Sequence, residues 1–335
     1  MNQIRPNRRA ILAGAAATAS LLAAPAALRA QAKPKVSYAY LLDPAYDAVV
    51  WAIRNGKVRS DSIDVEATGM NIPTLLQVTA TRQYDVVMTA VIGVPAAIAR
   101  GLDLRILSAA LYTSPAGEGG GVWVNKGSSL RDPRELKGKT LGSYGLRATG
   151  YMFVREALAK RFGLNMALEG GDVRQVEIAA PNLPAALSTS RVEAATLIHS
   201  QAYRALETGE YVNICESAAI NNEIHGRLVS AVNVGYADRL GERAAQFREF
   251  NRLLKASVTY ALANRDEVFG DVAKQANIDR KFFDWWFDRT TDVPAVFAAE
   301  HATAVTKAWN IGLGFGMIAG VPAVDALTWD QTIRG

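Results

Sequence analysis

The chain has 335 residues, half of them hydrophobic, with 37 basic against 32 acidic side chains and one cysteine, Cys215. A single cysteine excludes an intrachain disulfide, so stability has to come from a buried apolar core. Four of the basic residues and none of the acids precede residue 33, and the nearly neutral body that remains gives no electrostatic argument for binding nucleic acid or an anionic lipid surface.

At the start, Arg5, Arg8 and Arg9 precede an uncharged apolar run from Ala10 to Leu28, and Ala30-Gln31-Ala32 supplies the small residues of a cleavage site. This is the shape of a secretory signal, of the twin-arginine kind by its Arg8-Arg9 pair. The run is about long enough to span a bilayer, but Pro25 and the dominance of Ala and Gly favour a removable signal. Residues 1–32 are therefore expected to be cleaved after Ala32, leaving a soluble protein in a periplasm-like compartment.

From Lys35 onward, short β-branched runs alternate with helical stretches, the signature of an α/β fold with mainly parallel sheets. Strands are predicted at residues 36–41, 63–67, 85–89 and 104–111, with helices beginning near Ala45, Ile72 and Val91 and a stop at Gly101. Residues 115–121 hold four glycines and read as the approach to a hinge. A second set follows, with strands at 121–124, 140–144, 175–179 and 194–198 and helices at 132–136, 148–161 and 183–190. After a strand at 228–234, long amphipathic helices are predicted over 239–264 and from Trp285-Trp286 to 311, packing that completes the first lobe. The expected division is lobe 1 at 33–120 plus 232–335 and lobe 2 at 121–231. The two lobes echo each other at an offset of 108 residues, with Pro73, Leu75, Thr81 and Asp85 recurring as Pro181, Leu183, Thr189 and Glu193.

The ordered set Asn55-Gly56-Lys57, Ile63-Asp64-Val65-Glu66, Tyr84-Asp85-Val86-Val87, Leu136-Lys137-Gly138-Lys139-Thr140-Leu141-Gly142 and Val192-Glu193-Ala194-Ala195 resembles the nitrate/sulfonate/taurine-type solute-binding proteins. That family includes proteins related to thiamine-pyrimidine synthesis. The resemblance implies a type II periplasmic-binding fold: two α/β lobes joined by two crossing strands, here about 120–125 and 228–234, closing on a ligand. It also implies an ABC permease and ATPase as partners, with no cofactor. The chain departs from the family's usual Gly-Ser-Thr with Gly145-Leu146-Arg147-Ala148-Thr149, and from its usual Trp-Glu-Pro with Ile198-His199-Ser200.

Open α/β sheets bind ligands beyond the carboxyl ends of their strands. The turn from Ser143 to Thr149 opens a helix there, whose first N–H groups and partial positive charge suit an anion. Arg147 adds a forked donor, and Ala148 and Thr149 complete that segment. From the first lobe, Leu42, Asp43 and Tyr46 after the first strand and Thr89, Ala90 and Thr113 at later strand ends should line the cleft. Asp43 is most simply a helix cap before Pro44, while Tyr46, with Tyr112, Tyr144 and Tyr151, can stack an unsaturated ligand. His199 follows a strand end in the second lobe and is a further ligand candidate.

His225 and His301 show no metal-ligand spacing with any acid, so no metal is expected. No nucleophile elbow or phosphate loop occurs. The expectation is a monomeric, non-enzymatic importer subunit that captures a small sulfonate, carboxylate or aromatic acid. A sensor subunit is the alternative, followed by a pyrimidine-forming enzyme, whose cysteine-rich motif a lone Cys215 does not supply.

Overall fold

The computed structural model describes residues 33–335. The expected signal segment and its cleavage site lie outside the described residues. The chain opens with β1 (Lys35–Leu41), α1 (Pro44–Arg54), β2 (Asp64–Met70), α2 (Ile72–Thr81), β3 (Val86–Ala90), α3 (Gly93–Ile98) and β4 (Leu104–Thr113). Next come β5 (Gly121–Asn125), β6 (Thr140–Ser143), α4 (Thr149–Phe162), β7 (Arg174–Glu177), α5 (Leu183–Ser188), β8 (Ala194–Ala195), α6 (His199–Thr208), β9 (Tyr211–Glu216) and α7 (Ser217–His225). The rest is β10 (Val229–Tyr236), α8 (Ala237–Glu242), α9 (Ala244–Ala263), α10 (Arg265–Ala276), α11 (Lys281–Trp285), β11 (Thr291–Asp292), α12 (Ala299–Gly314) and α13 (Val324–Leu327). No helix among the described residues is long and apolar enough to cross a membrane.

Two mixed sheets flanked by helices lie within the unit Pro34–Gly335. The first has the order β11-β4-β10-β3-β1-β2 and the second β7-β6-β8-β5-β9. In each, three parallel strands (β2, β1 and β3; β7, β6 and β8) are followed by an antiparallel neighbour, β10 or β5. The sequence echo has a structural counterpart in these triplets. Asp85 precedes β3 and accepts the Ser37 N–H of β1 at 3.0 Å; Glu193 precedes β8 and accepts the Thr140 N–H of β6 at 2.9 Å. Each acid thus ties the entry of one parallel strand to its neighbour.

Local chemistry accounts for the elements around the cleft. Asp43 caps α1 by accepting the Ala45 N–H at 2.9 Å, with Pro44 in the first turn. Asn71 caps α2 by accepting the Thr74 N–H at 2.9 Å. Met152 and Phe153 of α4 and Tyr203 of α6 join the apolar core of the first sheet, so the two lobes share buried contacts.

Several expectations change. The helix expected over 239–264 is broken at Arg243, whose guanidinium is drawn to Asp85 at 2.7 Å and to the Lys35 carbonyl at 2.7 Å. Residues 120–125 and 228–234, expected as crossings, are mostly the strands β5 and β10, each inside one sheet. The chain passes between sheets just before them, at 114–120 and 226–228. Besides the predicted helices, the C-terminal part contributes a short strand, β11, which pairs Thr291 with Thr113 of β4.

Candidate ligand site between the two sheets

The segments after β1, β3, β6 and β8 converge on one cavity, as the strand-end rule requires. It has two adjoining compartments of about 120 Å³ each, which share Tyr144, Gly150, Ile198, His199 and Ser230. The first is mainly apolar, walled by Leu41, Leu75, Leu76, Met88 and Leu111, with Thr89 and Ala90 at the end of β3 and Ala148 and Thr149 at the start of α4. The second is more polar and is bounded by Thr113, Glu118, Ser217, Asn221 and Thr290.

The start of α4 has Ala148 at its cap position and no side-chain cap, so its leading N–H groups are left for another partner. Gly150 in that first turn is required by a close approach, because a Cβ there would stand 2.3 Å from the Tyr144 hydroxyl. The phenol therefore rests on the helix start, and burial pushes its pKa up. Across the cleft, Thr149 Oγ1 accepts the Ile92 N–H at 3.4 Å. Thr89 is 2% exposed and its Oγ1 has no hydrogen-bond partner.

His199 opens α6 with φ of 31°, left-handed backbone that a side-chain-bearing residue adopts only at a cost. Its ring stands edge-on to Trp286 at 5.5 Å between centroids. Asp43 Oδ2, from the other lobe, is 3.1 Å from His199 Nδ1, yet the pair is out of line for a hydrogen bond and Nδ1 stays unpartnered. Asp43 thus serves as the cap of α1 and also meets His199.

Other sequence candidates fall elsewhere. Arg147 is exposed and borders an adjoining groove with Leu146, Leu168, Arg100 and Phe315, which shares Leu76 and Thr89 with the first compartment; within the turn it is Tyr144 that lines the two compartments themselves. Leu42 is 61% exposed and Ser143 is fully buried, its Oγ accepting the Gly145 N–H at 3.3 Å. Tyr46 is core, with its hydroxyl 3.2 Å from that of Tyr38 and its pKa pushed up to about 12 by burial.

The second compartment draws on residues that sequence reasoning did not single out. Glu118 accepts from Trp285 Nε1 at 3.1 Å and Arg289 Nε at 2.6 Å, and Arg289 holds its carboxyl below the ordinary range. The glycine run pointed to this neighbourhood, whereas nothing local marks Thr290, which a π-helical turn at Trp286–Thr290 carries in. No group of three His, Cys, Asp or Glu side chains among the described residues could hold a metal ion.

The sequence profile of the NMT1/THI5-like family matches residues 54–268, well over half of the chain. The chain belongs to that family. Among curated proteins no sequence match is found. Solved structures with the same fold as this NMT1/THI5-like chain include the periplasmic aliphatic sulphonate binding protein SsuA from Escherichia coli, at 13% identity and TM-score 0.71 over 91% of this chain and 94% of that one. The alkanesulfonate-binding SsuA of Xanthomonas axonopodis pv. citri, bound to MOPS, gives 16% identity and TM-score 0.72 over 89% and 99%. A zinc-bound ligand-binding component of an ABC-type import system from Staphylococcus aureus gives 14% and 0.66 over 89% and 97%. At such identities the likeness speaks for the periplasmic-binding architecture of this NMT1/THI5-like chain, not for its ligand.

Proposed function

We propose that the chain is the solute-binding subunit of an ABC-type importer, exported by its N-terminal signal, which takes a small organic molecule between its lobes and presents it to permease and ATPase subunits. The observation that carries this is the cavity itself: strand ends of both sheets and two helix starts converge on it. Leu41, Leu75, Met88 and Leu111 suit the ligand's apolar body, and the starts of α4 and α6 suit a polar oxygen on its head. The exposed Arg147 lends no support to the acidic head group expected from the sequence. Binding is favoured over catalysis because the one carboxylate that lines the compartments, Glu118, is already engaged by Arg289 and Trp285.

The test is a thermal-shift screen of organic acids, sulfonates, amides and aromatic compounds, followed by small-angle scattering with the best hit. A ligand specific to the folded state contributes about 2.7 kcal/mol at a hundredfold excess over Kd, a rise of several degrees in Tm. The radius of gyration should fall as the lobes close by hinge motion about the two crossings. No stabilising compound, or an unchanged scattering profile at saturation, counts against this reading.

A further inference from the structure

His199 is the only non-glycine residue with left-handed backbone among those that line both compartments. Strain and an unpartnered buried polar atom at one residue mark a place where structure has been held against local preference. Asp43 is 5% exposed, and its Oδ1 already accepts the Ala45 N–H at 2.9 Å, which leaves Oδ2 to face His199 Nδ1 at 3.1 Å. The pair is out of line for a hydrogen bond, but the negative charge of a carboxylate oxygen at 3.1 Å favours a proton on Nδ1 over a lone pair there. In the neutral ring Nε2 is then a lone-pair acceptor. Among the described residues no side chain or carbonyl is hydrogen-bonded to Nε2, and the ring borders the cavity. On the opposite wall Thr89 Oγ1 is a second uncommitted polar atom.

The charges around the cavity point the same way. Neither compartment is lined by a lysine or arginine, Arg100 and Arg147 standing on the adjoining groove beyond Thr89, and the one lining carboxylate, Glu118, is neutralised by Arg289. A permanent anion would leave water for two compartments lined by no lysine or arginine. We infer that the cavity selects an uncharged ligand whose apolar body carries an N–H or O–H donor, such as an amide, a lactam or an N–H heterocycle. His199 Nε2 accepts that donor, and Asp43 acts as the positioning residue that fixes the tautomer. This rests on the solute-binding reading above and specifies the polar head of its ligand as neutral.

The test uses the full chain and three probes with one ring and different heads: benzamide, benzoate and benzenesulfonate, followed by thermal shift and calorimetry at millimolar concentration. Benzamide should raise Tm, benzoate less, and benzenesulfonate not at all. His199→Phe keeps the ring's area without its nitrogens and should weaken benzamide binding about tenfold, the worth of one hydrogen bond between neutral groups. His199→Asn tolerates left-handed backbone, brings its own carbonyl acceptor, and should keep most of the benzamide shift even where the Phe variant folds poorly. Stabilisation by benzenesulfonate equal to that by benzamide overturns the inference, as does undiminished benzamide binding in His199→Phe or no shift with any of the three probes. A permanent anion emerging from the wider screen also overturns it while leaving solute capture intact. Failure of every compound class in that screen strikes the binding reading itself.

Discussion

At the scale of single residues, Arg147 and His199 show what position in a sequence can and cannot specify. Both follow a strand of the second lobe, and both were reachable from the rule that ligands gather at strand ends. The rule locates backbone. Which side chain of a turn faces inward depends on packing, and here the phenol of Tyr144 takes the inward place over Gly150 while Arg147 borders the adjoining groove beyond Thr89. Leu42 fails for the same reason, whereas Thr89, Ala90, Ala148, Thr149 and His199 stand on the cavity wall because their backbone itself arrives there. Arg147→Ala should therefore leave ligand affinity within about twofold of wild type, since a solvated charge outside the cavity contributes little. A loss of tenfold or more by calorimetry would return the arginine to the site.

At the scale of elements, alternation of strand and helix was legible through residue 198 because parallel α/β units carry strong periodic signals. What followed was less so: the strand and helix at Tyr211–His225 were not anticipated, and the break at Arg243 falls where its guanidinium meets Asp85, an acid far away in sequence. The crossing at 114–120 was flagged by its glycines, and the structure gives the reason at Gly117. Its φ is 63°, and a Cβ there would fall 2.8 Å from backbone atoms of Ala219 in α7. Relief would require the crossing to lift off that helix. Gly117→Ala should cost more than about 1 kcal/mol, visible as a Tm lower by a few degrees. An unchanged melting temperature would mean that this crossing is not held as tightly as the packing indicates.

At the scale of the whole molecule, the body is nearly neutral and cysteine-poor, and its first core is dense in buried phenols. Tyr46 and Tyr236 are pushed up to about 12 and Tyr38 is raised well above the ordinary phenol value, in each case foremost by burial. In the unfolded chain a phenol ionises near pH 10, so the unfolded state loses its protons first. Stability is thus full below about pH 10 and is lost as pH rises from there toward 12, by on the order of 1 kcal/mol per pH unit for each phenol. Urea midpoints between pH 8 and 11 should fall at the alkaline end, and Tyr46→Phe should make that fall shallower. A flat profile to pH 11 would show that these rings are reached by water.

The position of β10 between β3 and β4 also sets an order of assembly. The second sheet is drawn from one unbroken stretch of chain, so its pairings are complete as soon as β9 exists. The first sheet must wait for a central strand that arrives only after the whole of the other lobe. Until then β3 and β4 each present an unpaired edge, the surface most open to wrong partners during synthesis. Bringing β10 home closes a loop as long as an entire lobe. That search is shortened when the intervening lobe is already compact, because a folded insert holds its two ends near each other.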